Sequence, residues 1–376
     1  MVVCTISAAN HLPKVACLMQ SLSETQPQHK SILCLVERDR SAMVGLKKCS
    51  SRVVLASEIG IPNFDSFLFR HRLYEACRAV KAQFLLYAMD EYPEEQSFVF
   101  LDPDSFVYSR FEELESIFPK TGILLTPHHL HDEESYDGIQ DLMMRTMMCG
   151  TYNSGFVGVR RSGLGLDFLQ WWNRKLQILC YADSSRGVYC DQKWLDMAFS
   201  FFDISILREP GYNVGNWNVS RRCLTRLHGS GGYLVNGKPL RFFHFSMIDS
   251  RRDMYYLNKY IEDDNPVFEM RNMYLRNVGA FDVDGLSQAP WTYDYFLSGE
   301  HINFEVRNAY RNQPRLVERC PNPYGQSNSS LSSESVYLQG KYRKERSLAR
   351  VRSVFRSWRQ SVRDQMSSPP DANEST

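Results

Sequence analysis

The stretch SFVFLDPDSFVY, residues 97–108, sets an apolar run directly before two carboxylates, Asp102 and Asp104. The run Phe98–Leu101 has the length and composition of a buried strand. Carboxylates that follow such a strand are costly in free energy unless a cation compensates them. Mg²⁺ and Mn²⁺ favour carboxylate ligands and bridge to substrate phosphates, so the stretch favours a metal–phosphate site. It also suits a plain turn, in which Asp102 accepts a backbone hydrogen bond and Asp104 faces solvent.

Short apolar strands and amphipathic helices alternate on either side of this stretch. Strands are predicted at 2–7, 31–37 and 52–57 before it, and the alternation continues to about residue 260. Such alternation predicts an α/β fold with a mostly parallel central sheet and flanking helices. In sheets of this kind, ligands bind beyond the carboxyl ends of the strands.

The domain organisation follows from shifts in composition. We expect one folded domain over residues 1–318, then a flexible linker over 319–340, where Ser, Asn, Pro and Gly dominate. Residues 341–376 form a basic tail with a disordered end. Within it, nine Lys and Arg residues of 341–365 stand against Glu345 and Asp364. One apolar stripe at helical spacing runs through it: Leu348, Val351, Phe355, Trp358 and Val362.

A basic amphipathic helix over 341–365 suits the surface of an anionic membrane. The alternatives are packing of its stripe on its own domain, or a groove on a protein partner. We therefore expect a cytoplasmic protein with peripheral contact at the inner face of the membrane. The start MVVCTISAANHLPK lacks the basic and long apolar regions of a signal peptide, and no run approaches the length of a spanning helix.

The overall composition excludes several classes of protein. The chain has 376 residues, of which 43% are hydrophobic, and this predicts a globular protein. A formal net charge of +1 argues against a nucleic-acid binder. Ten cysteines without a C-x-x-C pair argue against a zinc finger and favour a reduced chain.

Three further motifs carry polar groups in or beside apolar strands and helices. His244 lies within RFFHFS, where it is either a core histidine or a third metal ligand. Asn153 and Gly155 open the strand NSGFVGVR, where the amide suits sugar hydroxyls and the glycine permits close approach of the backbone to a ligand. Asp191 and Gln192 begin a predicted helix, so Asp191 is either an N-cap or a sugar-binding carboxylate.

The acceptor side is indicated by polar-aromatic residues. The segment 211–222 contains Asn216 and Trp217, and aromatic faces stack on sugars. His128 and His129 follow the predicted strand GILLTP. We predict His129, Asn216 and Trp217 as acceptor-binding residues, with ordinary surface loops as the alternative.

The ordered set FLDPDSFVY, TYNSGFVGVR, DQKWLD and FFHFS resembles the family-8 glycosyltransferases and related GT-A-fold enzymes of bacterial surface-polysaccharide clusters. The resemblance covers roughly residues 1–250. It implies a GT-A fold and a retaining transfer of a sugar from a nucleotide-sugar donor to a glycan or lipid-linked acceptor. The implied cofactor is Mn²⁺ (or Mg²⁺), held by Asp102, Asp104 and His244.

The resemblance also implies roles for other residues. Asn153, Asp191 and Gln192 would be the catalytic residues and would stabilise the reacting sugar. The implied donor-binding residues are Thr5, Ser7, Asn10, Lys81, Asp102, Asp104 and Gly155.

One departure from the family pattern concerns the segment after His244. The family usually has H-x-x-G-x-x-K there, but this chain has Met247 at the glycine and no lysine three residues later. The contact that the resemblance implies between this segment and the donor diphosphate is therefore in question. Arg251 or Arg252 is our candidate for the missing charge.

Three other functions fit parts of the sequence. A haloacid-dehalogenase-type phosphatase also places D-x-D after a strand, and residues 281–285, FDVDG, offer a second copy. A catalytically inactive scaffold would keep the fold and bind membranes through the tail. A nucleotidyltransferase would need a glycine- and lysine-rich loop near the N-terminus, whereas SAANHLPK has one lysine and no glycine.

Overall fold

A seven-stranded sheet organises the first of two units into which the chain divides, Met1–Asp294. The computed structural model describes residues 1–44, 52–227, 229 and 232–341. The strands of this sheet are β1 Val2–Ser7, β2 Lys30–Leu35, β3 Arg52–Leu55, β4 Ser97–Leu101, β6 Ile123–Pro127, β7 Tyr152–Arg160 and β10 Ser205–Ile206. Their order is β10-β6-β7-β4-β1-β2-β3, and all neighbours are parallel except the two pairs that contain β7. The predicted α/β class with a mostly parallel sheet is confirmed.

Short strands form three small sheets beside the main sheet. β5 Ser105–Val107 pairs antiparallel with β14 Phe242–His244. β8 Ala182–Asp183 pairs with β9 Val188–Tyr189. A third small sheet contains β11 Leu224–Arg226, β12 Tyr233–Val235 and β13 Lys238–Pro239.

Helices flank the sheet of the first unit. They are α1 Leu12–Thr25, α2 Phe64–Phe69, α3 Leu73–Ala79, α4 Lys81–Glu91, α5 Glu112–Ile117, α6 Tyr136–Gly138, α7 Met144–Cys149, α8 Gly163–Ile178, α9 Lys193–Ala198, α10 Arg251–Tyr260 and α11 Pro266–Phe281. A π-helical turn, Ile139–Met143, joins α6 to α7. Short 3₁₀ turns lie at Ala9–His11, Ser41–Met43, Ala56–Glu58, Phe118–Lys120, Ser184–Arg186, Val283–Gln288 and Thr292–Asp294. Of the helices in the described residues, none has both the length and the apolar character needed to cross a membrane.

Apolar packing fixes β14 to the main sheet. Phe242 of β14 stacks on Phe156 of β7 with ring centroids 6.0 Å apart, and Tyr212 meets both rings edge to face. All three rings are buried, together with Val99 and Leu101 of β4. This cluster orients β14, and the histidine at its end, toward the carboxyl end of β4.

The second unit, Tyr295–Thr376, consists mainly of helices from Phe304 onward in its described residues. It contains α12 Phe304–Asn312, α13 Pro314–Arg319, a 3₁₀ turn at Pro323–Gly325 and a helix over 328–341. That last helix differs from the flexible linker predicted for 319–340. It buries Leu331, Ser335 and Leu338, which recur at helical spacing, and this packing outweighs the serine-rich composition.

The division after Asp294 also differs from the boundary predicted at residue 318. The first part of the predicted domain, residues 1–294, contains all strands of the sheet described above. The basic helix predicted over 341–365 lies, apart from Lys341, outside the described residues. Its membrane contact stays a prediction.

Shortening a buried side chain of the central strands should destabilise the protein. Ile32 of β2 is fully buried, and we expect Ile32→Ala to lower the free energy of unfolding by about 2–5 kcal/mol because it leaves a cavity. The matched control is Ile178→Ala, because Ile178 is 73% exposed and its truncation should change stability by less than about 0.5 kcal/mol. Urea unfolding measures both, and equal losses would contradict the observed position of β2.

Candidate active site

The two carboxylates predicted as metal ligands lie in a tight turn between β4 and β5. The backbone N–H of Asp102 donates to Gly155 O at 3.0 Å, and that of Ser105 donates to Asp102 O at 3.1 Å. In the pairing of β5 with β14, Ser105 lies opposite His244. The sheet pairing therefore brings His244 beside Asp102 and Asp104, which lie far earlier in the chain.

Side-chain atoms of the three predicted ligands form one cluster. His244 Nε2 lies 3.0 Å from Asp104 Oδ1 and 3.6 Å from Asp102 Oδ2. One ligand atom from each residue lies within 4.8 Å of the others, and in the described residues this is the one group of three or more acidic, histidine or cysteine side chains that could hold a metal ion. His244 is buried, whereas both carboxylates are half-buried at the edge of a cavity.

His244 and Asp104 shift each other's pKa in opposite directions. Burial lowers the pKa of His244, but the carboxylates of Asp104 and Asp102 outweigh it and raise that pKa above its usual value. Burial raises the pKa of Asp104, but His244 outweighs it and holds that pKa well below its usual value. The ionised form of Asp104 and the protonated form of His244 therefore stabilise each other.

The ring orientation of His244 is set by Asn213. His244 Nδ1–H donates to Asn213 Oδ1 at 3.2 Å, and Asn213 Nδ2 donates to Thr126 Oγ1 at 2.8 Å. The second hydrogen bond fixes the amide so that its oxygen faces the ring. The Nε2 lone pair of a neutral His244 is therefore directed at the carboxylates, as a metal ligand requires.

Gly155 makes room for this imidazole. A Cβ at Gly155 would lie 2.4 Å from His244 Cε1 and 2.6 Å from Asn153 Oδ1. The glycine had been predicted to let the backbone approach a bound ligand. In the structure the close approach is made by the histidine of the cluster itself.

Buried charges lie behind the metal cluster. Lys81 Nζ lies 2.6 Å from Asp191 Oδ2 and 3.8 Å from Asp102 Oδ1, and it donates to Ser154 O at 2.9 Å. Arg78 Nε lies 3.8 Å from Asp191 Oδ1. Asp191 and Lys81 are both fully buried, so the charge of each compensates the charge of the other.

Asp191 does not cap α9, which was the alternative considered for it. The N-cap position of α9 is Gln192, whose own side chain makes no capping bond. Gln192 instead accepts from Ser154 N at 3.1 Å and donates to Cys149 O at 3.1 Å. Its amide thus ties β7 to the end of α7.

Asn153 and His128 form a second buried pair. His128 Nδ1–H donates to Thr151 O at 3.1 Å, so Nε2 accepts from Asn153 Nδ2 at 3.0 Å. Burial lowers the pKa of His128 to about 3, so its ring is neutral at physiological pH. Asn153 Oδ1 accepts from Gly155 N at 2.8 Å.

Two cavities meet at the metal cluster. The larger, of about 580 Å³, has Asp102, Asp104 and His244 in its wall and extends to the loop after β1 and to α1, α3 and α4. Its wall includes Ser7, Asn10, His11, Lys14, Arg78 and Lys81. The smaller, of about 70 Å³, shares Asp102, His244, Tyr74, Arg78 and Ser246 with it. Its remaining wall includes His128, Arg145, Asn153, Ser154, Gln192 and Trp217.

Several predicted site residues lie together around these cavities. They are Ser7, Asn10, Lys81, Asp102, Asp104, Asn153, Gln192, Trp217 and His244. Trp217 packs edge to face on His244 with ring centroids 5.2 Å apart. Asp191 lies immediately behind this wall, in contact with Lys81.

Other predicted residues lie outside the cavity walls. Thr5 is fully buried within β1. His129 shares a hydrogen bond with Thr146 Oγ1, and its neighbour His128 is the histidine that lines a cavity. Asn216 donates to Ser246 O and to Asp253 Oδ1, so its amide supports the chain after His244.

Arg78, Arg145 and Lys14 line the cavities but had not been predicted. Arg78 is three residues before Lys81 with apolar neighbours between, a local signal that could have drawn attention to it. Lys14 Nζ lies 2.6 Å from Asp249 Oδ2. Lys14 therefore places a cation in the wall of the larger cavity beside the segment that follows His244, whereas Arg251 and Arg252, at the start of α10, are not among the residues that line this cavity.

Met247 occupies the position at which the resemblance expects glycine, and it keeps the backbone conformation that glycine favours. Its φ is +60°, in the left-handed region that side chains adopt at a cost. Ser250 N and Ser250 Oγ donate to Met247 O at 2.8 and 2.7 Å, which holds the turn. The turn therefore places a left-handed residue at position 247 without a glycine.

The second D-x-D, Asp282-Val283-Asp284, forms a surface turn. Both carboxylate oxygens of Asp282 accept from Ser287, and Asp284 has a φ of +57°. These hydrogen bonds are local, and the pair lies outside the walls of both cavities. The geometry does not support the phosphatase alternative at this position.

Comparison with known proteins finds distant relatives. No family model matches the sequence. The protein YfnF of Bacillus subtilis (strain 168), whose function is uncharacterized, is 26% identical over 249 residues, which are 65% of this chain and 80% of its own length. YfnD of the same strain, also uncharacterized, is 23% identical over 246 residues, or 64% of this chain and 76% of its own.

Similar solved structures are glycosyltransferases. The galactosyltransferase LgtC in complex with donor and acceptor sugar analogs has a TM-score of 0.43 at 11% identity, with 74% of this chain and 96% of LgtC covered. GlyE of Streptococcus pneumoniae TIGR4 has a TM-score of 0.40 at 14% identity, with 78% and 66% covered. At such low scores these likenesses carry no information about substrate or mechanism.

Filling the space at Gly155 should disturb the cluster. We expect Gly155→Ala to displace His244 and to weaken Mn²⁺ binding, measured by titration calorimetry, with a loss of about 1–3 kcal/mol in stability from overpacking. Gly163→Ala is the matched control, because a Cβ there meets no atom within 4 Å. Unchanged Mn²⁺ affinity in folded Gly155→Ala would contradict the predicted metal site.

Asn213→Gly should weaken Mn²⁺ binding about 10–100-fold, because it removes the acceptor that orients His244. Glycine keeps the positive φ of 52° without strain, so the backbone should persist. Asn236→Gly is the control, since Asn236 has a φ of 51° on an exposed turn. Equal Mn²⁺ affinity in Asn213→Gly and the control would show that Asn213 does not act through the histidine.

Proposed function

We propose that this protein is a metal-dependent glycosyltransferase that moves a sugar from a nucleotide-sugar donor to a glycan or lipid-linked acceptor. The observation that carries the proposal is the cluster of Asp102, Asp104 and His244 in the wall shared by two cavities. The cluster lies beyond the carboxyl end of β4, where ligands bind in sheets of this kind. The larger cavity suits a large anionic donor, and the smaller one adjoins it at the cluster with a mostly polar wall.

The donor atoms of the cluster fit Mn²⁺ or Mg²⁺. Carboxylate oxygen suits both ions, and an imidazole nitrogen suits Mn²⁺ better. Adjacent ligands of an octahedral ion with bonds of about 2.1 Å lie about 3 Å apart. The 3.0 and 3.6 Å separations of His244 Nε2 from the two carboxylates are close to this spacing. Asp102, Asp104 and His244 would hold the ion, which would supply Lewis-acid stabilisation of the leaving nucleoside diphosphate.

The larger cavity would bind the nucleotide part of the donor. Its volume of about 580 Å³ is in the range of small-molecule sites. Ser7 and Asn10 lie at its β1 end and would meet the base and ribose. Lys14 and Arg78 lie in the same wall and would neutralise the phosphates. Lys14 would thereby supply the charge that the segment after His244 lacks.

The junction of the two cavities would hold the transferred sugar, and the smaller cavity would admit the acceptor hydroxyl. Gln192 and Asn153 present amides to it, and Trp217 and His128 give it rigid aromatic walls. Asp191 would act behind this wall by holding Lys81 and Arg78 in place. His128 is neutral, so it would act as a hydrogen-bonding group and not as a cation.

We propose a retaining outcome. An inverting transfer commonly uses a carboxylate base that faces the acceptor hydroxyl. Among the described residues that line the smaller cavity, the only carboxylate is Asp102, which belongs to the metal cluster. The polar amides of Gln192 and Asn153 instead suit stabilisation of a sugar whose acceptor attacks from the side of the leaving group.

The test is a screen of nucleotide sugars for Mn²⁺-dependent release of nucleoside diphosphate. Asp104→Asn should lower the rate by about a hundredfold or more, because one carboxylate ligand supplies part of a several-kcal/mol stabilisation. Asp284→Asn is the matched control, since Asp284 belongs to the other D-x-D and lies outside both cavities. Chelation with EDTA should abolish release by the unaltered protein.

The proposal fails if no nucleotide sugar or nucleoside diphosphate raises the thermal stability of the protein in the presence of Mn²⁺. It also fails if Asp104→Asn and Asp284→Asn lower the rate of release equally. Release of inorganic phosphate from simple phosphoesters, sensitive to Asp104→Asn, would favour the phosphatase alternative.

A further inference from the structure

Arg145 of α7 lines the smaller cavity and has no carboxylate partner among the described residues. Its side chain is half-buried, and its Nη1 atom is buried without a hydrogen-bond partner in that part of the chain. A buried donor of a charged group is costly in free energy when it lacks an acceptor. The position therefore favours an acceptor that a ligand brings.

The other lysines and arginines in the two cavity walls face carboxylates. Lys14 Nζ lies 2.6 Å from Asp249 Oδ2. Lys81 Nζ and Arg78 Nε lie 2.6 and 3.8 Å from carboxylate oxygens of Asp191. Their charges are thus compensated within the chain, unlike the charge on α7.

The acidic residues near Arg145 in the sequence do not neutralise it. Asp141 precedes it by four residues, a spacing at which side chains pair along a regular α-helix. The π-helical turn Ile139–Met143 interrupts that helix, and Asp141 Oδ2 instead lies 2.8 Å from Lys259 Nζ. Asp137 Oδ2 also faces Lys259 Nζ, at 3.3 Å. The guanidinium is therefore left for another anion.

Uncharged groups hold the guanidinium in place. Arg145 Nη2 lies 3.3 Å from the sulfur of Met247, and Arg145 Cζ lies 5.6 Å from the centre of the Tyr256 ring. A thioether and an aromatic face orient a cation without neutralising its charge. Arg252 lies over the same ring at 5.8 Å, which adds a second positive charge nearby.

Met247 links this arrangement to the departure from the family pattern. It adopts a φ of +60° at the position where the resemblance expects glycine, although a side chain is costly there. A glycine would have no side chain to contact Arg145. Backbone strain of this kind persists where a site requires the residue that bears it.

The wall of the smaller cavity contains a second unsatisfied donor. Trp217 lines it, and the indole Nε1–H is buried without an acceptor among the described residues. Within the described part of this wall, Arg145 Nη1 and Trp217 Nε1 are the buried side-chain polar atoms that lack a hydrogen-bond partner, and both are donors. An ionised carboxylate or phosphate, which accepts hydrogen bonds, matches such a pair.

We propose that Arg145 binds an anionic group, a carboxylate or a phosphate, that the acceptor carries close to the hydroxyl that is glycosylated. The proposal rests on the proposed function, which assigns the acceptor hydroxyl to the smaller cavity. Arg145 lines neither the larger cavity nor the junction, so it is placed for the acceptor rather than for the donor. Met247 acts as a positioning residue for the guanidinium. A cavity of about 70 Å³ admits a small part of the acceptor, so the charge and the hydroxyl lie a few bonds apart.

Binding of paired charged and neutral probes tests the anion site. The pairs are methyl glucuronide with methyl glucoside, and glycerol 3-phosphate with glycerol. Titration calorimetry measures their affinities for the full chain in Mn²⁺. The charged member of at least one pair should bind about tenfold more tightly, because it accepts a charge-assisted hydrogen bond. The pair that shows this preference identifies the anion as a carboxylate or a phosphate.

Three variants assign the preference to its residues. Arg145→Gln should remove it and leave the affinity for neutral probes unchanged, since glutamine keeps the helix propensity of arginine. Arg174→Gln is the matched control, because Arg174 is exposed on α8 and lies outside both cavities. Met247→Gly relieves the strained φ and should lower the preference about threefold, because the guanidinium is less well held.

Equal binding, or no binding, of the two members of both pairs would overturn the proposal. So would an undiminished preference in Arg145→Gln, which would assign the anion to the metal cluster or to another cation. A preference for UDP-glucuronic acid over UDP-glucose that Arg145→Gln removes would assign the anion to the donor sugar and contradict the proposal. Binding requires no sugar transfer. Anion binding that depends on Arg145 in a protein that releases no nucleoside diphosphate would therefore refute the transferase and retain the anion site.

Discussion

The antiparallel pairing of β5 with β14 is the constraint on which the rest of the site depends. It lays His244 directly across from the turn that carries Asp102 and Asp104. The backbone N–H of Phe245 donates to Asp104 O at 2.8 Å, and that of His244 donates to Val214 O at 2.7 Å. These bonds fix the ends of both strands, so the distances between the three side chains follow from backbone geometry rather than from flexible side chains.

Charge is organised in layers around this pairing. The layer at the cavity wall contains the two half-buried carboxylates of the turn and the buried histidine, a group that could hold a cation. Behind it, Lys81 joins Asp191 to Asp102, so positive charge supports the acidic cluster from within. Arg78 and Lys14 place further cations at the cavity wall. A diphosphate between metal and cations would then have its charge matched on more than one side.

The surroundings of His244 show how close packing specifies one orientation of a ring. Gly155 removes a side chain where the imidazole must lie, Trp217 covers its edge, and Asn213 accepts its Nδ1–H. Each contact comes from a different part of the chain. Loss of any one leaves the ring present but less well directed, which matters because metal ligation tolerates only small displacements.

Sequence alone determined the sheet class, the strand before Asp102 and the two carboxylates that follow it, because apolar periodicity and polar residues at strand ends are local signals. His244 was predicted beside them only through the family resemblance. Only the tertiary structure decided which residue accepts the hydrogen bond of His244 and which cations face the cavity. Asn213 reaches Thr126 across 87 positions, and Lys14 reaches Asp249 across 235, so no local pattern contains these pairs. The same reason explains the helix over 328–341, where burial of Leu331 and Leu338 outweighs a composition typical of linkers. Long-range packing selects partners that local sequence leaves open.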